Sequence, residues 1–194
     1  MFETLVPFIK YYIEKHHELY SSQCKAELWE ELLSKALKDA GFGSDWKPDY
    51  NHKSGLDQTT NNGTAFGNKS GKIKEDYIEI SGSRLGKHKT IQDKLNFLRV
   101  KKEDYILCLA TVKDEWKKGI KRYYFIVINS DIFDYHNQIW KEMMGSREDT
   151  KGKMMGWECT SEVYSARIQR SMSDQLWTNV KLDACEEIHE IVIG

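Results

Sequence analysis

The spacing of apolar positions changes several times along this chain, and each change marks an element. Trp29, Leu32, Leu33, Ala36, Leu37 and Ala40 recur at the i, i+3, i+4, i+7 spacing that lines one side of an α-helix. They predict a helix over Ser22–Ala40, stopped by Gly41, with Lys35 and Lys38 in the last turns where the helix dipole favours cations. A weaker pattern over residues 2–19, with Pro7 early in it, predicts a preceding helix.

The periodicity lapses between Gly41 and Gly71, where six Gly and four Asn accompany few apolar residues. An irregular segment of that length is either functional or built from short strands, and Asn62-Gly63 is the signal of a type I′ turn closing a hairpin. Period two then takes over. In Lys72–Ser81, Ile78 and Ile80 fall on one face, and Tyr77, Glu79 and Ser81 on the other. A turn at Gly82–Gly86 leads to an expected helix over Thr90–Val100 with Ile91, Leu95 and Leu98 inward. Asp104–Val112 and Arg122–Ile128 are continuous apolar runs suited to buried strands, joined by a charged turn, Lys113–Lys118. Asp134–Met143 reads as a helix, and Met154–Gly194 as strands around the polar stretch SARIQRSMSDQLW. This order predicts an α/β domain with a mixed central sheet flanked by helices.

Composition narrows the class. At 194 residues, one core over 1–194 is the default. A hydrophobic share of 40% with two Pro excludes a disordered chain. The longest apolar runs fall well short of the ~20 residues of a membrane span. The N-terminus MFETLVPFIKYY lacks the basic lead of a signal peptide, so a soluble, cytoplasmic protein is expected. Cys24, Cys108, Cys159 and Cys185 lie far apart with no Cys-x-x-Cys pair, which argues against a disulfide scaffold or a zinc finger. The formal net charge of −1 conceals a gradient: residues 67–102 hold ten bases against four acids, between two acidic flanks. A basic middle is either a polyanion-binding surface or a solvated helix face plus turns.

The chemistry-bearing residues cluster near that middle. Asp57 stands in SGLDQ, and Glu79 stands two before Ser81 on the alternating strand, with the basic Gly-Ser-Arg-Leu-Gly-Lys-His-Lys following. Metal-dependent phosphodiester cleavage needs carboxylates converging on a divalent cation from a rigid sheet. Asp57 followed by Glu79-Ile80-Ser81 resembles the signature of the PD-(D/E)XK nucleases, and the basic segment looks like a recognition loop of their type II restriction endonucleases. The resemblance implies a restriction-endonuclease-like core over about two-thirds of the chain. It implies Mg²⁺ held by Asp57 and Glu79, a homodimer, and double-stranded DNA as substrate. The family's third position is usually Lys; here it is Ser81, so Lys72, Lys74 or Lys87 would have to reach the site, or the metal alone would activate water. The family often adds a Glu from its first core helix, which makes Glu30 the candidate here.

DNA contacts are expected from Arg84, Lys87, His88 and Lys89 after the catalytic strand, and from Arg167, Gln169, Arg170 and Ser171. The rival expectation is a non-catalytic, sequence-specific DNA-binding protein that uses the basic middle without a metal. No Gly-x-Gly-x-x-Gly, Walker loop or nucleophile elbow supports a small-molecule enzyme.

Overall fold

A computed structural model of the chain describes residues 1–45, 57–100 and 103–193. Two helices come first, α1 (Phe2–Leu19) and α2 (Ala26–Asp39), and the apolar stripe of α2 buries Trp29, Leu33, Ala36 and Leu37. Then follow β1 (Gln58–Thr59), β2 (Ala65–Lys74), β3 (Tyr77–Arg84), α3 (Ile91–Leu98), β4 (Tyr105–Val112), the short α4 (Lys113–Lys117) and β5 (Arg122–Asn129). The C-terminal part adds β6 (Lys141–Met144), β7 (Met154–Thr160), β8 (Tyr164–Gln169), β9 (Gln175–Lys181) and β10 (Glu187–Val192). All ten strands join one mixed sheet in the order β10-β5-β4-β2-β3-β9-β8-β7-β6, with β1 added to β2.

Both faces of the sheet carry a core. Phe66, Leu107, Leu109, Phe125 and Val127 pack under α1 and α2. Ile78, Ile80, Ile106, Cys108, Ile126, Ile128 and Ile168 pack on the opposite face, with α3 partly buried against them. The continuous apolar runs of β4 and β5 follow from this, because strands covered on both sides have no solvated face.

The strand β2 positions the site. One edge of it is paired in parallel with β4 from Phe66 to Ile73. The other edge is divided: β1 takes Ala65 and Phe66, and β3 takes Gly71 to Lys74. Residues 67–70 lie in the fork between these two partners. A side chain on Gly71 would meet Ile78 Cδ1 and Cys108 Sγ at 2.7 and 2.8 Å, so only glycine lets β2 pass this close to the second core.

Three local expectations differ. The alternating stretch Lys72–Ser81 is two antiparallel strands that turn at Glu75 (φ 53°) and Asp76, and the period of two changes phase at that turn, so that Lys72 and Glu79 share one face and Ile73 and Ile78 the other. Asp134–Met143 is no helix: it contains a 3₁₀ turn, Tyr135–Asn137, and the edge strand β6 paired with β7. The Trp140 indole donates to the Tyr135 carbonyl, which closes that turn, while Ile139 stays 81% exposed. Lys113–Lys118 is mostly a single helical turn. No described helix is long and apolar enough to cross a membrane.

Candidate active site at the β2 fork

Strand alternation decides which side chains can meet. On β2, Phe66, Asn68, Ser70 and Lys72 share the face covered by α2, and Gly67, Lys69 and Ile73 project to the α3 face. Asp57 enters the fork just ahead of β1. Its backbone N–H donates to the Phe66 carbonyl at 3.0 Å, and its Oδ2 accepts from the Asn68 N–H at 2.5 Å, in place of the strand partner that β2 lacks there. The same oxygen lies 3.6 Å from Lys69 Nζ, which holds the carboxylate on the α3 side. Burial pushes the Asp57 carboxyl above its ordinary pKa, opposed by the Lys69 charge and the Asn68 hydrogen bond.

A buried polar line fixes β1 in that position. Ser34 Oγ donates to Ser44 Oγ at 3.1 Å, Ser44 to Gln58 Oε1 at 2.8 Å, and Gln58 Nε2 to Asn68 Oδ1 at 3.1 Å. Asn68 Nδ2 and Ser70 Oγ are buried with no hydrogen-bond partner among the described residues. The half-buried Glu30 sits one turn before Ser34 on the same side of α2, and the indole of its neighbour Trp29 donates to Leu107, which is paired with Asn68.

Glu103 is the second acid at the fork. Its Cγ and Oε1 lie 3.4 and 3.5 Å from where a Cβ on Gly67 would stand, so Gly67 is flanked by Glu103 above and Asp57 alongside. Lys69 and Glu103 also border a cavity of about 870 Å³ on the α3 face, whose wall includes Arg84, Lys87, His88 and Arg99. Ser130, 8% exposed, also lines the cavity, and its buried Oγ has no hydrogen-bond partner among the described residues. The basic wall is anchored from behind. Lys94, 1% exposed, reaches Asp174 Oδ2 at 3.2 Å and the His88 carbonyl, with the Trp157 ring 5.5 Å below its ammonium. Threonine 90 caps α3 through a capping box with Asp93, which sets where the helix starts relative to this loop.

The expected convergence of Asp57 and Glu79 is not found. Glu79 lies opposite Lys72, on the α2 side, four residues and about 13 Å along β2 from Asn68. Its carboxylate, 11% exposed, accepts from Lys74 Nζ at 2.9 Å and from Arg167 Nη2 at 3.2 Å. Those two cations satisfy it, and it heads a polar sheet face with Ser81, Trp177, Asn179, Ser165 and Gln169. The Ser81 side chain therefore shares the face of Glu79, although its residue borders the cavity behind.

The expected DNA-contacting residues are split in the same way. Arg84, Lys87 and His88 lie on the Asp57 side, and the exposed Lys89 lines a shallow depression next to them with Asp93 and Asn96. Arg167 and Gln169 lie on the Glu79 side. Arg170, whose guanidinium lies 3.4 Å from Met154 Sδ, and Ser171 sit on the exposed turn between β8 and β9. Lys69 and Glu103 did not stand out in the sequence. Lys69 sits in the Gly- and Asn-rich stretch, and only its place on β2 directs it to Asp57.

No family model matches the chain, and no curated protein or solved structure does.

Proposed function

We propose that this protein is a Mg²⁺-dependent endonuclease for double-stranded DNA, of the type II restriction kind, with Asp57, Glu103 and Lys69 at its centre. The observation that carries this reading is the pairing of Asp57 with Lys69 at the open fork, beside Glu103 and a cavity walled by Arg84, Lys87, His88 and Arg99. It is an acid–acid–lysine set of the composition that phosphodiester cleavage needs, drawn from the start of β1, the approach to β4 and the middle of β2. The helix-then-strand order around the fork also fits a restriction-endonuclease-like core.

The residues at the fork fit a magnesium ion better than the Asp57–Glu79 pair does. Mg²⁺ is commonly held by one or two carboxylates plus a substrate phosphate, with waters completing its shell. Among the described residues the contacts of the Asp57 carboxylate are made through Oδ2, which leaves Oδ1 to face an ion, and Glu103 supplies the second carboxylate. The ion supplies Lewis acidity to a phosphate oxygen and lowers the pKa of a bound water. Lys69 supplies the cation that Ser81 cannot, neutralising the phosphate next to the acids. Arg84 and Lys87 hold the neighbouring backbone phosphates, and the buried Gln58–Asn68 line keeps Asp57 in register. Glu79 acts through Arg167, orienting its guanidinium on the α2-side face as a DNA contact.

Incubating purified protein with plasmid in Mg²⁺ or in EDTA tests this. Discrete, metal-dependent fragments are expected, with Asp57→Ala and Glu103→Ala uncut while both variants still retard DNA in Ca²⁺. The non-catalytic DNA-binding reading is favoured by one observation: Glu79 is fully committed to Lys74 and Arg167, as a structural ion pair would be. Retarded but intact plasmid under every metal condition would establish that reading instead.

A further inference from the structure

A second group of donor atoms lies away from the fork, where α1 ends. His16 and His17 occupy the last turn of α1, and Cys24 sits in the connection to α2. One donor atom from each lies within 4.8 Å of the other two, and among the described residues no other group of three or more His, Cys, Asp or Glu does this. We propose that His16, His17 and Cys24 bind one Zn²⁺ ion.

Both imidazoles are already set for the task. His16 Nε2 lies 2.8 Å from the Ser22 carbonyl, and His17 Nδ1 lies 3.0 Å from the Tyr20 carbonyl. A carbonyl oxygen only accepts, so these nitrogens carry the ring protons. His16 Nδ1 and His17 Nε2 are left as lone-pair donors. Metal-binding histidines are held in this way, with the second ring nitrogen donating to a carbonyl or carboxylate that fixes tautomer and orientation. The rings are further fixed by packing: His16 stacks on Tyr20 at 5.2 Å and meets His17 edge-on at 4.8 Å.

The third donor is sheltered. Cys24 is 5% exposed, and its backbone N–H donates to the Tyr123 hydroxyl at 2.9 Å. That hydroxyl also lies 2.9 Å from His17 Nε2, so it stands between two of the three ligands. On metal binding Tyr123 gives up its hydrogen bond to His17 and keeps the one from Cys24. The donor set decides the ion. Two imidazoles and a thiolate suit Zn²⁺, which accepts three protein ligands with water in the fourth position, and they suit Mg²⁺ poorly because it prefers oxygen. Binding displaces one proton, from the Cys24 thiol, to solvent. The ion would clamp the end of α1 to the α1–α2 connection beside β5. This site is independent of the nuclease reading.

Titrating the metal-free full chain with Co²⁺, a spectroscopic stand-in for Zn²⁺, reads the donor set directly. We expect one equivalent to give a thiolate-to-cobalt absorption in the near ultraviolet and the intense visible bands of four-coordination, both removed by adding Zn²⁺. Cys24→Ser should abolish the ultraviolet band, whereas Cys185→Ser should leave it. His17→Asn, checked for native circular dichroism, should weaken binding at least roughly tenfold. Absence of the bands in the wild-type chain would overturn the site and leave a hydrogen-bonded cluster only. Their survival in Cys24→Ser would overturn it equally.

Discussion

A desolvated acid is the most informative single residue here. Asp57 is held by a backbone N–H and a lysine, yet burial still drives its carboxyl pKa upward. A raised folded-state pKa means that the native protein binds this proton more tightly than the unfolded chain does. Ionised Asp57 therefore costs stability at neutral pH, and that cost fades as pH falls and the carboxyl takes up its proton. Asp57→Asn should accordingly raise Tm at pH 7, with the gain shrinking toward acid pH, while it destroys cleavage. Thermal melts across pH check the sign, and a lower Tm at neutral pH would contradict it. Glu79 has a different part. A carboxylate 11% exposed between two cations is already satisfied, so Glu79→Gln should weaken DNA retention through Arg167 rather than chemistry. Asp57 was legible in the sequence as an acid at the edge of a turn-rich segment. Lys69 was not, because the direction of its side chain depends on a strand hidden among glycines.

Elements were legible where their period was strong. The α2 stripe and the apolar runs of β4 and β5 form as expected; Asn62-Gly63 does close the turn between β1 and β2, but only Gly63 (φ 87°) has positive φ, so the turn is not the type I′ form. Asp134–Met143 misled because its apolar residues match a helical spacing, while pairing with β7 decided the outcome. The α3 helix shows a subtler gap. Leu95 is buried as expected, but beside it is Lys94, a residue type almost never buried unless paired. Its partner Asp174 is eighty positions away, on the β8–β9 turn. Asp174→Ala would leave the Lys94 charge uncompensated and should cost about 3–5 kcal/mol in denaturant unfolding. The same change should loosen the loop that follows Arg84 at the end of β3 and bears Lys87. Arg84→Ala itself should weaken DNA binding about equally on all sequences, as loss of a phosphate contact does, and a loss confined to one sequence would make it a base contact instead.

At the scale of the whole molecule, the α/β class and the mixed sheet were readable from the order of periods, whereas the strand order was not. Nothing local in the sequence says that β3 pairs with β9, or that β2 has one edge shared between two partners. Those non-local pairings create the fork, separate Asp57 from Glu79 onto opposite faces, and bring Glu103 over Gly67. A homodimer, proposed because cutting a palindrome calls for two-fold symmetry, should appear in light scattering with DNA present as twice the 22.7 kDa chain mass plus one duplex. The central claim is that catalysis belongs to the Asp57 side of the sheet. Its most direct test is the single-turnover cleavage rate of Asp57→Asn and Glu79→Gln in Mg²⁺, at protein concentrations that saturate the DNA. The account predicts no cleavage by Asp57→Asn and a near-native rate for Glu79→Gln. Loss of cleavage in Glu79→Gln, or a native rate in Asp57→Asn, would contradict it.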